Sequence, residues 1–485
     1  MTLSYWDDWF KYQTLYTVSY VDADGTRHSI GSTKIGMNGL LPRSSKDEKI
    51  LGHRTPPLPP EFESLDTSFF SIGQDADFYE ELSKLGDQKR NSILHDLRDL
   101  AFDLDSLERA LEEDVTKVSL LRDVSLQTVR DQFARMAHGG VKLTPFRFSY
   151  QLLWTHPEPS TLVFEVEPNS LPPSNIHVLI GRNGVGKSTL LNTLTNHMVK
   201  QGTNDQVSNI VSVSFSAFDA FEPIDVPEDR ATGPTYHYVG LKKLSQDTNN
   251  VYLTRSTSDL AAELLASARS CLLPAKKSRW LRALDLLEGD PVFRRIDISN
   301  IITNGATDKD VLFNLERIFG LLSSGHKIVL LTITKLIETV EEKSLVLLDE
   351  PEAHLHPPLL SAFIRALSDL LTNRNGVAIV ATHSPVVLQE VPRSCVWRIN
   401  RWGNKSSIDR LNKETFGENV GTLTSEVFGL EVTASGFHRM LSTAAGTHDS
   451  YDSALASFGG QLGEEGRAIL RAMMYNLRNT SDVAR

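Results

Sequence analysis

A glycine-rich run at residues 181–189 carries the side chains with the clearest chemical use in this sequence. The run consists of Gly181, Arg182, Asn183, Gly184, Val185, Gly186, Lys187, Ser188 and Thr189. Glycines allow backbone N–H groups to converge on phosphate oxygens, lysine supplies a counter-charge, and a serine hydroxyl is a ligand for Mg²⁺. Such a pattern also arises by chance in a long chain, so its meaning depends on the elements around it.

The elements that flank this run are those that a phosphate-binding loop requires. The mostly apolar residues 176–180 predict a buried strand that leads directly into the glycines. A helix is predicted to begin at Lys187, and its N-terminus adds a partial positive charge that favours an anion. We therefore predict that residues 181–189 bind ATP and that Ser188 is a ligand of the accompanying Mg²⁺.

Two carboxylates follow a second apolar segment. Residues 345–348 are continuously apolar, as expected for a parallel strand buried on both faces, and Asp349 and Glu350 come directly after them. Ligands of parallel α/β sheets bind beyond the carboxyl ends of the strands, which is where both acids are expected. Asp349 is predicted to hold Mg²⁺ through water, and Glu350 is predicted to orient or deprotonate the attacking water.

A histidine follows a third apolar segment. Residues 377–381 predict another buried strand, and His383 comes two residues later, 33 residues after Glu350. A histidine without this context is more often structural. At a strand end beside the nucleotide, His383 is predicted to hydrogen-bond the terminal phosphate and to respond to its loss.

A serine and a glycine precede the strand that carries the carboxylates. Residues 322–326 read Leu-Ser-Ser-Gly-His, lead into an amphipathic helix predicted over 327–340, and place Gly325 24 residues before Asp349. Taken alone, the run is a common helix start. In this order, the motifs resemble those of ABC-type ATPases of the RecF, structural-maintenance-of-chromosomes and OLD-like group. Their signature reads Leu-Ser-Gly-Gly-Gln, from which Ser324 and His326 depart.

The resemblance implies a fold and an assembly. The implied fold is an ABC-type α/β ATPase head with a mostly parallel sheet, an antiparallel β subdomain and helical insertions. In the family the signature closes on the nucleotide of the opposite subunit. Ser323 and Gly325 are therefore expected to contact ATP in trans, within a homo-oligomer built from head-to-tail dimers. The family's glutamine loop is not evident: Asp219 is a candidate for its role, and a helix cap is the other interpretation.

The sequence around Glu350 indicates which group of ABC-type ATPases the chain resembles. Residues 349–357 read Asp-Glu-Pro-Glu-Ala-His-Leu-His-Pro, which is similar to soluble ATPases of the OLD and RecF type. OLD nucleases carry a Toprim domain after the ATPase, and the 102 residues after His383 are expected to be too few for one. No nuclease activity of the chain's own is therefore expected. Size and layout look most like the ATPase subunit of Septu-type anti-phage defence, PtuA, whose partner is an HNH nuclease; the PARIS ATPase is the second option.

Two other functions are compatible with a P-loop. A RecF-like or SMC-like protein that binds DNA in repair would use a basic cluster, with an affinity that falls as salt rises. The cluster in this sequence consists of Lys276, Lys277, Arg279, Arg282, Arg294 and Arg295. The ATPase subunit of a membrane transporter is the third function, and the sequence motif of residues 349–357 disfavours it.

The segments outside the motifs predict how the chain is organised. Residues 9–35 predict a β-hairpin that turns at Asp24-Gly25. Six leucines between 94 and 111 predict the packing face of a helical subdomain, and a coiled-coil or partner surface is the other interpretation. The predicted division is 1–41 for the hairpin joining the ATPase lobe, 42–145 for a linker and helical insertion, 146–250 for the P-loop lobe, 251–342 for a helical subdomain with the signature, 343–402 for the strands of Asp349 and His383, and 403–485 for a C-terminal helical region.

Composition adds limits on location and partners. The 485 residues include 50 basic and 61 acidic ones, and the net charge of −11 disfavours a basic surface coat but leaves a local basic groove open. Cys271 and Cys395 lie far apart without metal-ligand spacing, which is typical of buried thiols in a reducing compartment. The sequence has no signal core and no run of about 18 apolar residues, so a cytoplasmic protein without membrane contact is expected.

Overall fold

The first 140 residues combine an antiparallel sheet with short helices. The computed structural model describes residues 1–3, 11–42, 54–122, 124, 126–140, 143–152, 160–201, 207–215, 224, 234–244, 252–402, 405–429 and 436–483. The first strands, in their order across the sheet, are β1 (Thr2–Leu3), β2 (Leu15–Val21), β3 (Arg27–Met37) and β4 (Phe69–Gly73). The first helices are α1 (Ala76–Lys84), α2 (Asp87–Asp96), α3 (Leu104–Ala110), α4 (Leu126–Thr128) and α5 (Ala134–Ala137), with π-helical turns at Thr116–Leu120 and Val129–Phe133.

One hydrophobic core unites this sheet with these helices. Tyr12 and Ile35 from the sheet side and Phe78 and Phe133 from the helical side are buried in the same cluster. The core therefore runs across the boundary that the sequence places at residue 41, because the hairpin covers its apolar face with the helices that follow it.

The predicted leucine stripe is mostly buried and is divided between two helices. Helix α2 ends at Asp96 and α3 begins at Leu104, so a turn interrupts the stripe. Leu94, Leu97 and Leu107 pack into the core, whereas Leu104 is exposed. The stripe is thus largely the packing face of a helical subdomain, as expected.

The rest of the chain alternates between strands and helices. Its strands are β5 (Phe146–Leu152), β6 (Ser160–Val166), β7 (Ile176–Ile180), β8 (Asn209–Ser214), β9 (Thr235–Gly240), β10 (Lys242–Leu244), β11 (Tyr252–Thr254), β12 (Ser344–Asp349), β13 (Val377–Thr382), β14 (Val396–Trp402) and β15 (Lys405–Asp409). Its helices are α6 (Lys187–Gln201), α7 (Thr257–Cys271), α8 (Pro274–Leu287), α9 (Pro291–Ile296), α10 (Ile298–Asn304), α11 (Asp308–Leu321), α12 (Ser324–Thr339), α13 (Pro357–Asn373), α14 (Pro385–Leu388), α15 (Val420–Phe428), α16 (Phe437–Thr447), α17 (Tyr451–Ala456) and α18 (Glu464–Val483), with 3₁₀ turns at Pro351–His354 and Arg393–Cys395.

A seven-stranded sheet organises this second part. Its order is β15-β14-β7-β13-β12-β8-β9, and every neighbouring pair is parallel except β14 with β15. The predicted α/β fold with a mostly parallel sheet, antiparallel β structure and helical insertions is confirmed. Because β7, β13 and β12 are neighbours, their carboxyl ends meet at one edge of the sheet.

Both faces of this sheet are covered, which explains why its strands are continuously apolar. Along β12, Val346 and Leu348 pack into the core on one face, whereas Leu345 and Leu347 pack into the core on the other. Helices α7, α8 and α11 to α13 supply the first core. Helix α6 and the β5–β6 hairpin supply the second.

The region after residue 403 begins with the edge strand β15 and continues as helices. Helices α16, α17 and α18 enclose a small core of their own that includes Leu441, Ala454 and Leu470. In the described ranges, no helix combines the length and the apolarity that crossing a membrane requires.

Candidate nucleotide-binding site

The phosphate-binding loop lies between β7 and α6, as the sequence predicts. Gly184 and Gly186 have φ angles of 79° and 102°, in the left-handed region that favours glycine. A Cβ atom at Gly181 would overlap the carbonyl oxygen of Ile399 on β14. Three of the predicted positions therefore require glycine for backbone reasons, and α6 directs its N-terminus at the space that the loop encloses.

The side chains of the loop divide into buried and exposed ones. Val185 anchors the loop in the core around α6, and Lys187 is only 4% exposed. Arg182, Asn183 and Thr189 are exposed at the surface. Core packing therefore fixes the loop, while its exposed polar residues are accessible to a ligand.

Lys187 is held across the loop. Its Nζ donates to the carbonyl oxygens of Gly181 and Arg182 at 3.0 and 3.1 Å. Burial lowers the pKa of Lys187, and the nearby carboxylates, led by Glu350 and Asp349, offset part of this effect. A phosphate in the loop would replace the carbonyl oxygens as partners of the ammonium group.

Ser188 and Asp349 meet, although 161 residues separate them in the chain. The Ser188 hydroxyl donates to Asp349 Oδ1 at 3.0 Å, and Asp349 is 1% exposed. A hydroxyl and a carboxylate form a hard oxygen donor set of the kind that Mg²⁺ prefers. These two residues therefore fit the metal site predicted for them.

Glu350 begins the turn that follows β12. Its φ and ψ angles of 44° and 58° are left-handed, which costs a residue other than glycine about 1–2 kcal/mol. Its N–H donates to the carbonyl oxygen of Ala381 at 2.9 Å, which extends the pairing of β12 with β13 by one residue. The carboxylate is 36% exposed, so water reaches it.

His383 lies beside two carboxylates at the end of β13. Its Nδ1 is 3.7 Å from Glu350 Oε1 and 3.1 Å from Glu352 Oε1. Glu352 Oε1 also accepts from the Thr382 hydroxyl at 2.6 Å and from the His383 N–H at 2.7 Å. Glu352, which is 9% exposed, therefore fixes the turn that carries His383.

Glu352 is a residue that sequence reasoning missed. The resemblance of residues 349–357 implies a role for the first glutamate, Glu350, and none for the second. The available signal was its position two residues after Glu350, in a turn predicted to face the same ligand. Its contacts with β13 required the fold.

Ser323 and Gly325 lie at the start of α12. The Ser323 hydroxyl is 2.6 Å from His326 Nδ1. A Cβ atom at Gly325 would overlap the carbonyl oxygen of His354 in the 3₁₀ turn after Glu350. Among the described residues, no hydrogen bond joins either of them to residues 181–189. The structure thus brings Lys187, Ser188, Asp349, Glu350 and His383 together and leaves Ser323 and Gly325 outside that group.

Two other sequence hypotheses have different outcomes. Asp219, the candidate for the glutamine loop, lies outside the described residues. The basic cluster is not one exposed face: Lys276 is buried and donates to Ser270, whereas Arg282, Arg294 and Arg295 are exposed. Arg282 pairs with Asp369.

Comparisons with known proteins agree with this geometry. Residues 256–389 match the family described as "AAA domain, putative AbiEii toxin, Type IV TA system". They contain the signature, both carboxylates and His383, so the chain carries an AAA-type P-loop ATPase domain. Over 506 aligned residues the chain is 40% identical to Protein ea59 of Escherichia phage lambda, and the match covers 97% of this chain and 94% of that protein. The chain belongs to the family of Protein ea59.

Solved structures with partial likeness are ABC proteins. An inward-facing metal-chelate type ABC transporter is 17% identical with a TM-score of 0.28, covering 59% of this chain and 89% of that one. The ATP-binding cassette of an ABC transporter in its ADP conformation is 13% identical with a TM-score of 0.31, covering 60% and 100%. These TM-scores are too low to define the fold, which rests on the strand order and the P-loop geometry.

Proposed function

We propose that the chain binds ATP with Mg²⁺ at residues 181–189 and hydrolyses it with Glu350 as the general base. The observation that carries this proposal is the meeting of Lys187, Ser188, Asp349 and Glu350 at the carboxyl ends of neighbouring strands. The AAA-type domain supports ATP as the nucleotide.

Five side chains of the site each have a part in the proposed reaction. Bound Mg²⁺ would neutralise charge on the phosphates, and Ser188 and Asp349 are the residues that would hold it. Lys187 and the N-terminus of α6 bind the phosphate oxygens. Glu350 accepts a proton from the attacking water. Both ring nitrogens of His383 would have to act as donors, Nδ1–H toward the carboxylates at 3.1 and 3.7 Å and Nε2–H toward the terminal phosphate.

Two substitutions test this assignment. Lys187→Ala is expected to abolish nucleotide binding, because the phosphates lose their main counter-charge. Glu350→Gln is expected to keep binding and to slow phosphate release by about 100-fold or more, since an amide does not accept the proton. The measurements are equilibrium binding of a fluorescent ATP analogue and phosphate release.

Exposed residues of the same types on α11 provide the controls. Lys309→Ala and Glu316→Gln should behave like the wild type in both assays, because these side chains lie on the surface of that helix. Hydrolysis by Glu350→Gln at the wild-type rate would remove Glu350 from the mechanism.

The active assembly is proposed to be a homo-oligomer of head-to-tail dimers. Among the described residues, Ser323 and Gly325 have no hydrogen bond to the loop, and the resemblance to ABC-type ATPases supports a second chain as the source of the signature for each nucleotide. The Glu350→Gln chain should dimerise when ATP is added, because bound ATP persists. Light scattering after gel filtration measures this, and a strict monomer at saturating ATP would contradict the proposal.

The proposed cellular role is regulation of a separate effector, an HNH-type nuclease in an anti-phage system. The resemblance of residues 349–357 to soluble defence and repair ATPases supports this role. Tagged protein from its native host is expected to co-purify with a nuclease whose DNA cleavage depends on ATP and is lost with Lys187→Ala. DNA cleavage by the isolated chain would contradict the proposal that a separate protein carries the nuclease activity.

A further inference from the structure

Three side chains beside the signature form a cluster that the ATPase reaction does not use. Asp290 precedes α9, His326 lies in the first turn of α12, and His356 precedes α13. One ligand atom from each lies within 4.8 Å of the others. Asp290 and His326 are buried, whereas His356 is 49% exposed and opens the cluster to solvent.

The spacing within the cluster is that of metal ligands. Asp290 Oδ1 is 3.1 Å from His326 Nε2, and Asp290 Oδ2 is 3.2 Å from His356 Nε2. Two atoms that share a tetrahedral Zn²⁺ at ordinary bond lengths lie about 3.3 Å apart. The two imidazoles thus already converge on one carboxylate from different elements.

The carboxylate of Asp290 is held in place by the first turn of α9 and is oriented toward the two histidines. Its Oδ1 accepts the N–H groups of Val292 and Phe293 at 2.8 and 3.2 Å. Its Oδ2 is buried and, apart from the approach of His356 Nε2 to 3.2 Å, has no hydrogen-bond partner among the described residues. Burial raises the pKa of Asp290, but the two N–H groups and His326 together lower it more, so the group is a carboxylate at neutral pH. A buried carboxylate requires a compensating positive charge.

We propose that Asp290, His326 and His356 bind a divalent transition metal of the Zn²⁺ class. Imidazole nitrogen is a ligand of choice for such ions, and two imidazoles with one carboxylate leave a coordination position for water on the side where His356 is exposed. Coordination through Nε2 places the proton of His356 on Nδ1. The weak 3.4 Å bond from the Leu359 N–H is then exchanged for the metal bond.

The metal would also reverse a hydrogen bond at the signature serine. A carboxylate only accepts, so without the metal a neutral His326 donates from Nε2–H to Asp290, and its Nδ1, 2.6 Å from the Ser323 hydroxyl, accepts the hydroxyl proton. With the metal on Nε2, Nδ1 carries the proton and donates to Ser323, whose own O–H becomes free to donate to a phosphate. This step rests on the proposed ATPase function, whereas metal binding does not.

Cobalt provides a direct test, because Co²⁺ bound by imidazole and carboxylate has visible absorption bands. The nucleotide-free full chain is titrated with CoCl₂ and then competed with ZnCl₂. One Co²⁺ per chain and loss of the bands with Zn²⁺ are expected. His356→Gln should weaken binding by at least about tenfold. The matched control is His354→Gln, since His354 is exposed two residues away and outside the cluster.

The outcomes separate the metal site from the nucleotide site. Lys187→Ala should keep the cobalt bands even though it loses ATP. Asp290→Asn should lose both the bands and the rise in melting temperature that ZnCl₂ gives the wild type. Absence of bands in the wild type, or equal affinities of His356→Gln and His354→Gln, would overturn the proposal.

The link to Ser323 has its own measurement. At saturating ATP and Mg²⁺, ZnCl₂ should raise the phosphate-release rate of the wild type about tenfold, the effect of one hydrogen bond to a charged group. His356→Gln should not respond. A wild-type rate that is unchanged at a Zn²⁺ concentration that fills the site would overturn the link.

Discussion

At the scale of single residues, Glu352 determines where His383 lies. One oxygen of this glutamate accepts from the side chain of Thr382 and from the backbone of His383, and it lies 3.1 Å from the imidazole. Glu352→Gln keeps the shape but replaces the carboxylate charge. We expect the kcat for ATP to fall about tenfold with little change in KM, because His383 loses an oriented proton on Nδ1.

A conservative variant distinguishes positioning from general destabilisation. If Glu352 acts through His383, Glu352→Asp should recover part of the kcat that Glu352→Gln loses. The control Glu316→Gln should leave kcat and KM unchanged. Equal losses of kcat and of melting temperature in Glu352→Gln and Glu352→Asp would show that Glu352 is only structural.

Asp99 gives a second prediction at this scale, in the part of the chain before residue 141. Burial raises the pKa of Asp99 to about 7, even though the Tyr79 hydroxyl and backbone N–H groups hydrogen-bond it. The folded chain therefore holds the proton more tightly than the unfolded chain, whose aspartates titrate near about 4. The resulting stabilisation is complete below about pH 4 and is lost as the pH rises through about 7, by roughly 1.4 kcal/mol per pH unit.

An isosteric substitution measures this effect. Asp99→Asn mimics the protonated side chain, so the free energy of unfolding in urea should fall less between about pH 5 and about pH 8 than for the wild type. Asp105→Asn, on the exposed face of α3, should keep the wild-type slope. Equal slopes for Asp99→Asn and the wild type would refute the assignment.

At this scale, the sequence predicts the residues that follow recognisable strands but not the contacts between distant helix starts. Lys187, Asp349 and His383 each follow an apolar strand, and the ends of parallel strands have to meet, so these residues were predictable. The contact of His326 with Asp290 was not, because it joins the starts of two helices 36 residues apart. No local pattern encodes that contact.

At the scale of elements, Gly325 joins the signature helix to the turn after Glu350. A Cβ atom there would overlap the backbone oxygen of His354, and a shift of the backbone costs more free energy than a shift of a flexible side chain. Gly325→Ala should therefore lower the free energy of unfolding by about 1–3 kcal/mol and reduce ATP hydrolysis, because the turn that holds Glu350 shifts.

Gly320 supplies the matched control for this substitution. It is near the end of α11, and a Cβ atom there would have nothing within 4 Å. Gly320→Ala should be neutral or stabilising by about 0.4–1 kcal/mol. Urea denaturation compares the two variants, and equal stabilities would show that α12 and the turn are not tightly packed.

The sequence predicts buried elements better than edge elements. β7, β12 and β13 are central, apolar on both faces and were identified within about one residue. β14 carries Arg398 and Arg401, and β15 pairs along only one edge, so neither has a buried strand's pattern. The leucine stripe predicted a helical packing face but not the turn between α2 and α3, because periodicity does not register a short turn between helices.

At the scale of the whole molecule, the part before residue 141 contacts the strand of Asp349. Arg135 pairs with Glu342 at 2.8 Å, and Lys343 pairs with Asp131 at 3.0 Å. Burial raises the pKa of Glu342, and the Arg135 guanidinium opposes this. Both pairs lie just before β12, so a partner bound to the N-terminal part would have a physical connection to the strand before Asp349 and Glu350, the carboxylates proposed to hold magnesium and to activate water.

The proposed dimer makes a prediction that no single chain can satisfy. If Glu350 acts in cis and Ser323 acts in trans, a chain with Glu350→Gln and a chain with Ser323→Arg are each inactive alone. Ser323 is exposed, so the arginine should not prevent folding. A mixed dimer has one site with both defects and one site with neither.

Mixing equal amounts of the two variants should therefore restore phosphate release to about a quarter of the wild-type rate per chain, since half of the dimers are mixed and half of their sites are intact. Mixing either variant with Lys187→Ala discriminates further. The Ser323→Arg chain should complement Lys187→Ala, whereas Glu350→Gln should not, because Lys187 and Glu350 serve the same nucleotide. Activity in neither mixture would place the signature in cis, and activity in both would require a site built differently from the one proposed.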